Sequence, residues 1–108
     1  MQESIGNLIN FAIRAGKYAL GESALNDARK GKAKLVLIAK DTSDSNKKRW
    51  IDKFTYCKVP CEIYGTKEEL GFLLHKDAIA VLSINEAHIA REIKKLIKEE
   101  ELNGIQKE

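Results

Sequence analysis

The stretch Lys17–Lys40, KYALGESALNDARKGKAKLVLIAK, decides the fold. It closes on five apolar residues, Leu35 to Ala39, rich in β-formers at both alternating sets of positions. That run predicts a central strand covered by helices on both faces. Ahead of it, Glu22 to Lys30 reads as a short helix opened by Gly21 and ended by Gly31, with a narrow apolar face at Leu25 and Ala28. Tyr18 to Leu20 is a short strand candidate. A glycine at a helix start lets a phosphate or base edge approach backbone N–H groups that have no partner within the helix. Lys17, Arg29, Lys30, Lys32 and Lys34 surround Gly21 in sequence, and the rest of the chain reads as scaffold for this corner.

Working outward, Ile5, Leu8, Ile9, Ala12 and Ile13 recur at helical spacing, with Ser4 as a cap and Gly16 as a stop. Asp41, Thr42 and Ser43 offer N-caps to a helix over roughly 44–56, whose buried side is Trp50, Ile51 and Phe54. Pro60 precedes a strand over 61–64. Thr66-Lys67-Glu68-Glu69 is a capping box for a helix that turns Leu70, Leu73 and Leu74 inward. Residues 78–84 form a second near-continuous apolar strand. Asn85 is placed to cap the last helix, with Ile84 and Ile89 as a hydrophobic staple and Ile89, Ile93, Leu96 and Ile97 as its core stripe. The order αβαβαβαβα predicts an α/β protein with a four-stranded sheet, at least partly parallel, between helical layers. No repeat, linker or low-complexity tract interrupts it.

A chain of 108 residues predicts a single domain over 1–108, with a charged end expected to fray from about residue 99. The net charge of +3 is unevenly spread: residues 1–60 hold 12 Lys+Arg against 6 Asp+Glu, and residues 61–108 hold 7 against 10. A basic half of this kind is the footprint of a polyanion partner, although a merely solvated face gives the same count. The basic residues stand where strands meet helices: Lys17 before the first strand, Lys32 and Lys34 before the central one, Lys40 after it. If Gly21 and Lys40 share one sheet end, backbone donors and an ammonium converge there, a group suited to positioning phosphates.

Other chemistry is poorly supported. Cys57 and Cys61 lack the spacing of a redox motif and the second ligand pair of a zinc site, so they read as small apolar residues in a reducing compartment. Adjacent Glu68 and Glu69 face different directions on a helix, Asp41 and Asp44 suit a helix start, and Ser23 has no sequence-local base. No phosphate-binding glycine motif is present. The reading is therefore no catalytic residue, no metal, no cofactor and no small-molecule substrate. The first residues carry no secretory signal and no apolar run approaches membrane-spanning length, which predicts a cytoplasmic protein with no membrane partner.

The segments AGKYALGES, RKGKAKLVLIAKDTS, YCKVPCEIYGTKEELG and AIAVLSI together resemble the ribosomal protein L7Ae/L30e superfamily, and more closely its small bacterial YlxQ-like branch, over nearly the whole chain. The resemblance implies a three-layer α/β/α sandwich that binds kink-turn RNA. It implies that the start of the second helix, here Gly21, Glu22 and Ser23, meets the sheared G·A pairs of the kink. It places Lys40 and Asp41 after the central strand, and an apolar lip at the turn His75–Ile79, with Ile79 as a prop against an extruded base. Three departures stand out. Ser23 and Ala24 occupy the places of the family's usual Asn-Glu, and Asp27 that of its Lys, unless the register slips by one and brings Asn26 there. No glycine stands at the position of His75.

Together these readings predict a non-catalytic RNA-binding protein for bent, structured RNA of ribosomal or other origin. Gly21 gives backbone access, Glu22 and Ser23 polar contacts, and Lys17, Lys32, Lys34 and Lys40 neutralise phosphates. The alternative is a protein-interaction module of the same fold that has lost specific RNA recognition. The missing Asn-Glu-Lys set favours that alternative and the basic first half opposes it.

Overall fold

Burial on both faces makes Leu35–Ile38 the centre of the molecule: all four residues are at most 1% exposed. In the computed structural model, which describes residues 1–106, this strand lies inside a four-stranded sheet. Residues 107 and 108, the last of the expected single unit, lie outside the described residues. The elements are α1 (Glu3–Arg14), β1 (Tyr18–Leu20), α2 (Gly21–Arg29), β2 (Leu35–Ile38), α3 (Asp44–Tyr56), β3 (Cys61–Ile63), α4 (Lys67–Leu73), β4 (Val81–Ile84) and α5 (Ala87–Gln106). The sheet order is β1-β4-β2-β3; β4 runs antiparallel to both β1 and β2, and β3 runs parallel to β2. The parallel pair needs a crossover, which α3 supplies.

Side-chain alternation sorts the layers. Leu35, Leu37 and Ala39 join Leu82 and Ile84 under α1, α4 and α5, represented by Ile5, Ile9, Leu70, Ile93 and Ile97. Val36 and Ile38 face the other way, onto Ala24, Leu25 and Ala28 of α2 and Phe54 of α3. The result is the three-layer α/β/α sandwich with a mixed sheet. Both edges of the sheet are three-residue strands, too short to template further pairing.

Local signals mostly fall where the chain places them. Ser43 caps α3 by accepting from the Asn46 N–H, and Thr66 and Glu69 form both halves of a capping box on α4. Two readings need correction. Ser4 lies inside α1, whose N-cap position is Gln2 without a side-chain bond, because the helix starts ahead of its apolar stripe. Asn85 does not cap α5: its side chain donates to Asp27 (2.8 Å) and accepts from Ser83 (2.9 Å), whereas Glu86 accepts from the N–H groups of Ile89 (2.7 Å) and His88 (3.1 Å). The longer carboxylate reaches the open amides while the amide side chain is drawn to the sheet. The last helix, α5, spans Ala87–Gln106, a stretch whose Glu, Lys and Leu residues are good helix formers.

Two of these caps set an acid limit. Amide bonds from Ile89 and His88 hold the Glu86 carboxyl below the usual carboxylate range; a bond from the N-terminal ammonium, and the Thr66 amide, do the same for Glu69. A lowered folded-state value contributes stability above the unfolded value of about 4.3, and that contribution disappears as pH falls through the lowered values. Glu62, raised by burial and by Glu101, acts in the opposite sense. The urea midpoint should therefore fall between about pH 5 and pH 3. Glu86→Gln should flatten part of that fall; a midpoint slope identical to the parent's shows that the cap carries none of it.

Candidate nucleic-acid interface

Strand register decides which loops meet. At one end of the sheet, Leu20 pairs with Leu82 and Ile38 with both Val81 and Ile63. The same end is closed by bonds from the Ala39 N–H to Ala80 O (2.9 Å), Lys40 N–H to Gly65 O (2.8 Å) and Ile79 N–H to Lys67 O (3.0 Å). Gly21, Lys40 and the turn before β4 therefore lie together. β1 and β2 are separated there by β4 alone, which puts them about 10 Å apart. Asp41 joins this end to α4 by accepting from the Lys67 N–H at 2.8 Å.

The α2 start is open. Its N-cap position is Leu20, which has no side-chain oxygen to offer, so no side chain caps the helix. Gly21 has φ +51°, and a Cβ there would meet nothing within 4 Å. The left-handed backbone, rather than crowding, is what calls for glycine. Glu22 and Ser23 are exposed beside it, and an acid at this position is also favoured by the helix dipole. The departures from the resembled family are accounted for by packing. Ala24 is fully buried against the sheet, Asp27 is bound to Asn85, and Asn26 is exposed, with its side-chain oxygen accepting from Arg29 at 3.3 Å.

The other predicted lysines do not join this group. At the far end of the sheet Lys34 N–H bonds to Ile84 O (2.8 Å) and Asn85 N–H to Lys17 O (2.9 Å). Lys17 and Gly21 are separated by the whole of β1, roughly 13 Å at about 3.4 Å per residue, and Lys34 and Ala39 by β2, roughly 16 Å. These spans exceed the screening length of about 8 Å at physiological salt, so the two ends do not act as one field. The single basic corner expected from the sequence is thus two separate groups: Gly21, Glu22, Ser23 and Lys40 at one end, Lys17, Lys32 and Lys34 at the other. Ile79 is a second correction. It is 6% exposed and packed in the core with Leu70 and Leu82, so its side chain cannot serve as an exposed prop.

Two features of the Gly21 end escaped the sequence. The turn before β4 is gripped by Gly71, where an added Cβ would lie 2.6 Å from Lys76 O and 3.0 Å from Ala78 N. The far end of α5 also arrives here: Glu100 and Glu101 share a shallow recess with Lys40, Tyr64 and Gly65, and Glu100 accepts from the Tyr64 hydroxyl at 3.1 Å. Carboxylates beside Lys40 reduce its pull on a phosphate. Elsewhere, burial pushes the Cys61 thiol up to about 11, and among the described residues no group of three or more His, Cys, Asp or Glu could hold a metal. Among those residues no helix is long and apolar enough to cross a membrane.

A family model described as "Ribosomal protein L7Ae/L30e/S12e/Gadd45 family" matches residues 3–97. The chain is 38% identical over 92 residues to the RNA-binding protein YlxQ of Enterococcus faecium, covering 84% of this chain and 88% of the relative. To the RNA-binding protein YlxQ of Bacillus subtilis (strain 168) it is 32% identical over 91 residues, covering 83% and 91%. In fold it resembles the Giardia lamblia 15.5kD RNA binding protein, with a TM-score of 0.72 at 24% identity over 91% of each chain.

Two substitutions test how the turn before β4 is held. Gly71→Ala forces backbone apart rather than a side-chain tip, and should lower stability by about 1–3 kcal/mol in a urea titration. His75 is exposed with φ +56°. His75→Gly should raise stability by about 1 kcal/mol by relieving that left-handed conformation, and an unchanged or lower midpoint shows there is no strain to relieve.

Proposed function

The chain belongs to the ribosomal protein L7Ae/L30e/S12e/Gadd45 family, and from that membership we propose that it is a non-catalytic, cytoplasmic RNA-binding protein that recognises a kink-turn or similarly bent RNA at the Gly21 end of the sheet. The observation that carries the reading is the open start of α2, a glycine-led helix with no side-chain cap, set beside the exposed Lys40. Its free N–H groups and dipole favour phosphate oxygens or the acceptor edge of a base. Ser23 donates or accepts at the same place. Glu22, unfavourable beside a phosphate, is suited to accept from a guanine N1/N2 edge. The relatives called RNA-binding protein YlxQ support the RNA partner, and the ribosomal proteins in the family's description support structured RNA as its class.

Recognition built this way is lean. A side chain that pairs twice with one base discriminates by about 1–3 kcal/mol, and neither Ala24 nor Asp27 is free to make such a pair. Specificity then rests on backbone donors and on the shape of the kink, with Lys40, Lys67 and Lys76 as cations at this end and Glu100 and Glu101 limiting the reach of Lys40.

A short-armed kink-turn RNA and a straight duplex of equal length, titrated at two salt concentrations, test this. The kink-turn should bind at least about 10-fold more tightly at the higher salt. Lys40→Ala should lower its salt slope by about one, and Lys34→Ala should leave that slope unchanged because Lys34 lies at the far end. Equal binding of both RNAs, confined to low salt, overturns the reading.

A further inference from the structure

The lysines displaced from the Gly21 end are not scattered. Lys17 immediately precedes β1, Lys34 immediately precedes β2, and Lys32 and Lys58 lie in the loops leading to β2 and β3. These three strand entrances share one end of the sheet, as the Lys34–Ile84, Lys17–Asn85 and Val36–Pro60 backbone bonds show. α5 begins at the same end and adds Arg91 and Lys94, which with Lys34 line a shallow recess floored by Leu35, Pro60, Ala87 and Ala90. Arg91 and Lys94 are three residues apart on the helix, hence neighbours on one face. The alanines keep that face low, so the charged heads stand around a depression rather than along a ridge.

All six cations are exposed, and among the described residues none is in an ion pair within 4 Å. Of the carboxylates nearest this end two are engaged, Glu62 is set back, and Glu92 stands exposed on α5 between Arg91 and Lys94. Asp27 accepts from Asn85, and Glu86 accepts from two α5 amides while lying near enough to feel Lys17. Glu62, midway along β3, feels Lys94 and Lys98 but is itself crowded by Glu101. One cation is also held in place: Lys34 Nζ donates to Gly31 O at 3.0 Å. A low, unpaired, six-cation surface with small residues at its floor fits the broad edge of a polyanion groove better than a compact anion, which needs donors closing in from several sides. Its distance from the Gly21 end, about twice the screening length by way of β2, means that a ligand at one end leaves the other available.

We infer that this far end is a second RNA surface, which takes the phosphate backbone of a straight duplex without reading its sequence, so that the protein can hold two RNA segments at opposite ends of its sheet. The inference extends the proposed function by a second segment, but its groups and those at Gly21 are disjoint. Taking away three phosphate-neutralising cations lowers the salt slope by about 2 to 3, and that number identifies the surface.

The test is a titration of a fluorescent straight RNA duplex of about 20 base pairs against the full chain at about 50 and 200 mM salt. Wild-type protein should bind. The charge-reversed K34E/R91E/K94E should lose at least about 10-fold in affinity and about 2 to 3 in slope, and Lys40→Ala should bind as wild type. The neutral K34Q/R91Q/K94Q, checked for an unchanged melting curve, should show the same slope loss if reversal harms folding. Absence of duplex binding, equal loss in Lys40→Ala, or an unchanged slope in the neutral triple variant each overturn the inference. So does equally tight binding of poly-glutamate, which marks the surface as one for acidic polypeptides. A kink-turn preference that fails while the duplex result stands removes only the Gly21-end reading; the reverse result removes only the far surface.

Discussion

The structure depends on one strand having no wet face. Because every side chain of Leu35–Ile38 is buried, helices must lie on both sides of the sheet, with α1 and α5 against Leu35 and Leu37 and with α2 and α3 against Val36 and Ile38. Once both faces are occupied, polar and charged groups can reach solvent only on the outer helix faces and at the two sheet ends. The ends are where loops converge from several strands at once and bring side chains distant in sequence together.

The two ends then differ in kind. At the Gly21 end the donors are mainly backbone groups, the nearest lysine is tempered by carboxylates, and close contact at Gly71 fixes the neighbouring turn. At the far end the groups are long cations with no partner within ion-pairing distance among the described residues. Such side chains adapt to a backbone and carry little information about bases. The half-chain charge imbalance blurs this division, because Arg91 and Lys94 belong to the acidic half yet stand with Lys17 and Lys34 in space.

Element order, layering and two caps were legible in the sequence because local periodicity and capping chemistry govern them: the apolar run at Leu35, Ser43 before α3, and Thr66 with Glu69. The grouping of Lys17 with Gly21 was an error that the same sequence could have prevented. Tyr18–Leu20 reads as a strand, and residues on either side of a strand sit at opposite ends of a sheet. Ile79 was beyond such reasoning, since an apolar residue in a loop points in or out according to what packs above it, here Leu70 and Leu82. Nor could the contest between Asn85 and Glu86 for the α5 amides be settled without knowing that Asp27 and Ser83 stand within reach of the Asn85 side chain.

That last arrangement bears on which residues positions 24 and 27 can hold. Asp27, Asn85 and the fully buried Ser83 form one chain of hydrogen bonds from α2 to the sheet, and Ala24 beside it is fully buried. A lysine at position 27 would remove the carboxylate that accepts from Asn85, and a glutamate at position 24 would bring a charge into a fully buried site. The interior, through the buried Ser83 and Ala24, thereby limits which side chains the outer surface of α2 can present.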